Sequence, residues 1–321
     1  MKLKFEPELR AQSLAKLGFG TWGLGGSSYG LVSEVQASQL ISYAYGNGIR
    51  LFDTSPLYGD GRSEKILGNT LKEYPRSTYA IITKAGLYNS GSEEMRDFSE
   101  SAISNSLAES LERLRINHID YFLLHSPTSL EINCGKVNNF GLGVKISDGT
   151  IGNFGVSLKS PADYFLVDDM KSIQVIEFNY SLMDQRAGFM DNDDEKIKSL
   201  FKIARTPYNF GFLTDSPPGK RPPASPLKHL SNWPQKQFDV WHASRKVWER
   251  IGKDNNLSLQ DLALSFVLSS DFVDLVIPGF MNTEHILSAI DSANRGPLTK
   301  ESRDSLTQIY LENESKFVVS K

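Results

Sequence analysis

Short apolar runs alternate along this chain with longer stretches in which apolar residues return every three or four positions. Leu17–Thr21 is a short apolar run that ends in glycines, after which Ala37, Leu40, Ile41 and Ala44 recur at helical spacing. Ile49–Asp53 predicts a strand, Ser63–Leu71 a short helix and Thr78–Lys84 the next strand. Ile103, Leu107, Leu111 and Leu114 predict a helix over 97–115, followed by the strand Ile119–His125. A glycine-rich stretch at 133–149 carries only a weak helical signal. Ile151–Ser157 reads as a strand, and Pro161–Asp168 as a helix opening on proline, which suits a first turn. Ile173–Phe178 reads as a strand, 183–199 as a helix and Leu200–Thr206 as a strand. A proline-rich loop over 207–238 comes next, then helices over 239–254 and 259–269, the strand Asp274–Ile277 and two closing helices. Residues 1–16 are polar-mixed and read as a small lid hairpin.

Strand–helix alternation with no repeat period and no composition break implies a parallel sheet. Eight such units within 321 residues favour a single α/β domain over 1–321, a (β/α)8 TIM barrel, with an open doubly wound sheet as the alternative. In a barrel, active sites lie at the C-terminal ends of the strands. A hydrophobic content of 40% and a charged content of 23% describe an ordinary globular chain. The net charge of −3 supplies no drive toward nucleic acid. Cys134 is the single cysteine, which excludes an intrachain disulfide and a cysteine-based zinc site. The N-terminus has no signal-like apolar core, and no run approaches the roughly 18 apolar residues of a membrane span. The expectation is a cytoplasmic protein with neither a membrane nor a nucleic-acid partner. The oligomeric state is not legible.

Gly18–Phe19–Gly20–Thr21–Trp22–Gly23 matches G-x-G-x-x-G, but more glycines follow where a dinucleotide fingerprint would open a helix. A glycine-rich loop after a strand is the better reading. Polar residues at strand ends matter more. Asp53, Lys84 and His125 end three consecutive strands, and Tyr58 lies in the Pro/Gly loop after the first. Each alone has an ordinary structural reading. Together they converge on one rim of a barrel. A phenol with an ordinary pKa near 10 exchanges protons poorly at neutral pH, and an adjacent ammonium favours its phenolate. Asp53 can hold Lys84, His125 can hydrogen-bond a carbonyl, and Tyr58 can protonate the oxygen that gains charge. These groups supply a proton but no electrons, so reduction would need a hydride cofactor.

The segments LGFGTWGLGG, LFDTSPLYGDGRSE, IITKAG, SLERLRINHIDYFLLHSP, IGNFGVS, IEFNYSLMDQR, IARTPYNFGFLT and LVIPGFMNTEHI resemble the aldo-keto reductases, in order and over nearly the whole chain. Asp53, Tyr58, Lys84 and His125 fall on that family's catalytic tetrad. The resemblance implies a (β/α)8 barrel that binds NADPH, with NADH as the alternative, and reduces a small-molecule aldehyde or ketone to an alcohol. It further implies cofactor contacts at Thr21, Trp22, Asp53, Ser157, Glu177, Arg205, Thr206, Tyr208, Gly279, Met281, Asn282 and His285. Ser157 resembles the serine that bonds the nicotinamide carboxamide, and Leu158 follows where the family usually has a polar residue. Glu177 stands at the family's glutamine, Arg205 at an aromatic that stacks on the nicotinamide, and His285 at an arginine or glutamine. Substrate contacts are expected from Trp22, Tyr58, His125 and Trp233, with a sugar or hydroxy-aldehyde as the candidate substrate. Two other readings are a nucleotide-binding regulatory subunit resembling the potassium-channel β-subunits, and a metal-dependent barrel hydrolase. The second would need clustered histidines, and only His125 of the five sits clearly at a strand end.

Overall fold

The computed structural model describes residues 1–26, 32–90, 93–133, 147–167, 170, 173–190, 194–219, 233–314 and 317. Eight parallel strands form one sheet in the order β1 (Phe19–Gly20), β2 (Leu51–Asp53), β3 (Ala80–Ala85), β6 (Ile119–His125), β7 (Ile151–Ser157), β8 (Val175–Asn179), β9 (Phe201–Arg205) and β10 (Leu275–Ile277). The ends of this sheet meet. Leu17 pairs with Val276 and Gly20 with Gly279, and the Gly18 and Gly20 amides donate to the carbonyls of Val276 (2.8 Å) and Pro278 (2.9 Å). The sheet is therefore a closed barrel without a free edge.

Side chains alternate across each strand, so residues two apart share the barrel interior. Ile82, Leu123, Val175, Ile203, Leu275 and Ile277 fill that interior as a cluster separate from the larger core under the helices. Lys84, His125, Glu177 and Arg205 each lie two positions beyond a member of this cluster, on β3, β6, β8 and β9. The strand period thus carries the inner face from hydrocarbon below to charge at the C-terminal rim. Outside the barrel, helices open on built N-caps. Ser33 and Gln36 form a capping box at α2 (Glu34–Gly46), and Ser99 caps the helix Glu100–Leu114.

Several elements differ from the sequence reading. Residues 1–16 form no lid hairpin. Pro7–Leu9 is a 3₁₀ turn that runs into α1 (Arg10–Ala15), which enters β1 from its N-terminal end, away from the C-terminal rim of the barrel. Phe5 pairs antiparallel with Leu298 instead. Pro161–Val167 is a 3₁₀ helix, which turns the fully buried Val167 and Met170 into the core over a short span. The described residues of 183–199 do not form one helix. Ser181 and Asp184 pair in a tight turn, Arg186 clamps Asp184 through two hydrogen bonds (2.8 and 2.7 Å), Arg186–Phe189 is a 3₁₀ turn, and a short α-helix runs over Glu195–Ser199. An antiparallel hairpin of β4 (Leu87–Ser90) and β5 (Glu93–Arg96) follows β3, in a polar stretch with no strand signal. The long helix begins at Gln235, inside the segment read as loop. The remainder of that loop at 220–232, and most of the glycine-rich stretch, lie outside the described residues. Among the described residues no helix is long and apolar enough to cross a membrane.

Candidate active site

A cavity of about 450 Å3 opens at the C-terminal rim. At its inner end Lys84, fully buried at the end of β3, directs its ammonium to the Asp53 carboxylate, to the Thr54 carbonyl (3.2 Å) and to the Tyr58 hydroxyl (3.5 Å). Asp53 is held from behind. The Thr21 amide (2.9 Å) and hydroxyl (2.8 Å) both donate to its carbonyl, and the Ser63 hydroxyl donates to Thr21 Oγ1 (2.7 Å). The Tyr58 ring stands edge-on to His125, 6.1 Å between centroids, and 6.4 Å from Trp22.

Electrostatics differentiate these groups. Burial opposes the charge on Lys84, but Asp53 and Glu177 outweigh it and hold Lys84 above its ordinary value. Burial raises the Asp53 carboxyl to about 7 against the downward pull of Lys84. Burial also pushes the Tyr58 phenol upward, and Lys84 offsets only part of that rise. The ammonium eases ionisation, as expected from sequence, but the net displacement is upward because desolvation is larger. Burial, together with Lys84, Arg205 and Arg96, holds His125 well below the ordinary imidazole value.

Ser55 settles the orientation of His125. Its hydroxyl accepts from the Leu57 amide (3.2 Å) and lies 3.2 Å from His125 Nδ1. The hydroxyl oxygen keeps a second lone pair, so Ser55 can donate to Nδ1 or accept from it, and in the first case the neutral ring carries its proton on Nε2, toward the cavity. Arg96 of the hairpin pins the next turn, donating to the Ser126 carbonyl (2.6 Å) and to Glu131 (2.7 Å).

Of the other residues expected from sequence, Trp22, Glu177, Arg205, Thr206, Tyr208, Gly279, Met281 and His285 line the cavity. Thr21, Ser157, Asn282 and Trp233 do not. Ser157 is buried and donates to Glu177 Oε1 (2.8 Å). Asn282 caps the helix Thr283–Asn294 by accepting from the His285 amide (2.8 Å). Trp233 packs against Phe210 with its ring tilted, 5.7 Å between centroids, and Phe210 rather than Trp233 lines the cavity. Arg205 is held by Asn179 Oδ1 (2.5 Å) and the Leu158 carbonyl (2.7 Å), and Thr206 also donates to Asn179 (2.8 Å). Ser55, Asn179, Phe210 and Gln260 are site residues that pattern reasoning missed. Ser55 alone carried a signal, being next to Asp53 in the strand-breaking DTSP loop. Ser126, Thr206 and Phe210 all have left-handed backbone (φ 55°, 56° and 57°), a strain that concentrates here on the cavity wall.

Two buried side-chain atoms in residues lining this cavity lack a hydrogen-bond partner, Glu177 Oε2 and Arg205 Nε. Both atoms sit in ion pairs at 3.4 Å, Oε2 with Lys84 and Nε with Glu177 Oε1, so an acceptor and a donor beside the cavity keep hydrogen-bonding capacity that an amide-bearing ligand such as a nicotinamide could use. Thr206, Tyr208, Met281 and His285, farther along the wall, would hold the remainder of such a dinucleotide.

The profile of the Aldo/keto reductase family matches residues 16–311. L-galactose dehydrogenase of Arabidopsis thaliana is 30% identical over 292 residues, covering 85% of this chain and 82% of that protein. D-threo-aldose 1-dehydrogenase of a Pseudomonas species is 26% identical over 305 residues, covering 85% of this chain and 88% of that protein. The structure of a glycerol dehydrogenase from Gluconobacter oxydans superimposes with a TM-score of 0.76 at 24% identity, over 95% of this chain and 93% of that one.

Proposed function

The chain belongs to the aldo/keto reductase family, hence to the NAD(P)H-dependent oxidoreductases, and from that premise we propose that it interconverts a polyhydroxylated aldehyde or ketone and its alcohol, with Tyr58 as the proton donor. The observation that carries this reading is the Tyr58 hydroxyl on the cavity wall, 3.5 Å from the buried Lys84 ammonium that Asp53 holds. NADPH, which Glu177, Arg205, Thr206, Tyr208, Met281 and His285 would hold, would supply the hydride for the carbonyl carbon when bound. His125 orients the carbonyl by donating from Nε2. Tyr58 donates its proton as negative charge develops on the carbonyl oxygen, and Lys84 stabilises the phenolate left behind. In alcohol oxidation the same phenolate takes the proton back. Two relatives named for sugar substrates, and a wall that mixes Trp22 and Phe210 with Ser216, Thr214 and Gln260, support a hydroxylated substrate.

The test is Tyr58→Phe. Turnover with a panel of sugars and short aldehydes should fall about 10²- to 10⁴-fold, while NADPH binding, followed by its fluorescence, is retained. Turnover near wild type in that variant would overturn the assignment.

A further inference from the structure

The contacts from Asp53 through Lys84 to Tyr58 leave two further charges, Glu177 and Arg205, unused. Glu177, in the middle of β8, is fully buried. Its Oε1 accepts from Ser157 (2.8 Å) and lies 3.4 Å from Arg205 Nε. Its Oε2 has no hydrogen-bond partner and lies 3.4 Å from Lys84 Nζ. The Lys84 protons are already directed to Asp53, Thr54 and Tyr58, so Glu177 meets the ammonium as a charge and not as a fourth acceptor. Asp53, Lys84, Glu177 and Arg205 thus form an alternating row of charges beside the phenol, the first three of them buried.

We propose that Glu177 is a positioning residue, a second counter-ion on Lys84 that restrains the ammonium's pull on Tyr58 and keeps the phenol a proton-retaining acid. This rests on Tyr58 being the proton donor, as read above. A single carboxylate, Asp53, would balance Lys84 and leave Arg205 free to lower the phenol as well. Glu177 offsets Arg205. The groups facing Tyr58 are Asp53 on β2, Lys84 on β3, His125 on β6, Glu177 on β8 and Arg205 on β9, with Arg96 of the hairpin beyond His125. Lys84 and Arg205 ease ionisation of the phenol, Asp53 and Glu177 oppose it, and His125 is held neutral. The short links through Lys84 put Glu177 within about 7 Å of the phenol, where a unit charge at an effective dielectric of about 20 moves an ionisation by about one to two pH units.

Glu177→Gln keeps the shape and the acceptor for Ser157 but removes the charge, whereas Glu177→Asp keeps the charge. The phenol of Tyr58 is titrated directly by NMR in cofactor-free protein with isotope-labelled tyrosine, its signal assigned by its loss in Tyr58→Phe. Glu177→Gln should titrate about one to two pH units below wild type, and Glu177→Asp should stay near it. The acid limb of the alcohol-oxidation pH profile with NADP⁺, in which Tyr58 must be ionised, should move by the same amount. An unmoved titration with kcat reduced at every pH makes Glu177 merely structural and overturns the proposal. So does an unmoved titration with weakened NADPH binding, which makes Glu177 only a cofactor contact. If Tyr58→Phe is itself fully active, the reading of Tyr58 falls first. If Tyr58→Phe is inactive and Glu177→Gln does not shift, only the role of Glu177 falls.

Discussion

His125 ends a strand whose preceding inward residues, Tyr121 and Leu123, belong to the barrel interior. A ring set on that floor and faced by Lys84, Arg205 and Arg96 resists charging. Its folded pKa lies below the unfolded value of about 6.5, so between the two the unfolded chain binds more protons. Stability from this residue is therefore intact above about pH 6.5 and declines as pH falls below it. His125→Gln removes that loss. Denaturant unfolding at about pH 8 and pH 5 should show wild type losing stability relative to His125→Gln on acidification. An unchanged difference would mean that the imidazole charges in the folded state. The position of His125 was legible in the sequence as a polar strand end. Its ring partner was not, because Ser55, which meets Nδ1, lies 70 residues away.

The Tyr58 loop shows the same division at the scale of an element. Its Pro and Gly content announced a stiff turn, but what it rests on is the Trp22–Gly25 turn. A Cβ at Gly59 would lie 2.2 Å from the Gly25 carbonyl oxygen, and Gly59 has φ 64°. Both the contact and the dihedral require glycine. Gly59→Ala should therefore lose about 1–3 kcal/mol in denaturant unfolding and lose turnover beyond what that instability explains, because Tyr58 is the adjacent residue. Gly46, the last residue of α2, has open space around its missing Cβ. Gly46→Ala should gain about 0.5 kcal/mol with kcat unchanged. If the two substitutions behaved alike, packing against Gly25 would not be what restricts the loop. The β4–β5 hairpin left no trace in the periodicity because Tyr88, Asn89 and Ser90 are exposed. Its role depends on Arg96 reaching the turn after His125.

At the scale of the whole molecule, closure of the barrel and closure of the chain are separate devices. β1 meets β10 at the rim that carries the site, whereas residues 1–9 tie the N-terminal segment to the last helices. Leu3 donates to Asn255 (2.6 Å), Lys4 to Ser302 (2.8 Å), Glu6 to the Pro297 carbonyl (2.8 Å), and Thr299 to Lys4 (2.9 Å). At about 0.5–1.5 kcal/mol net for each of these four bonds, deletion of residues 1–9 should lower unfolding stability by about 2–6 kcal/mol. Because this seam leads into β1 from the end opposite the site, kcat per folded molecule should stay at the wild-type value. A loss of kcat in stable truncated protein would place this segment at the rim after all, as the lid reading expected.

Local chemistry is written in the chain itself. Strand and helix periods, the strand-ending polar residues and the Pro/Gly loop follow from each segment's own alternation of apolar and polar positions, and they sufficed for the barrel and for the meeting of Asp53, Tyr58, Lys84 and His125 at one rim. What a side chain does once buried depends on partners from distant strands, and no local pattern encodes them. Ammonium beside phenol foretold an easier ionisation, but desolvation in the folded site turned the net shift upward. Glu177 looked like a single exchange at an amide contact. Only the closed barrel set it between Lys84 and Arg205, because strands distant in sequence become neighbours on one inner face.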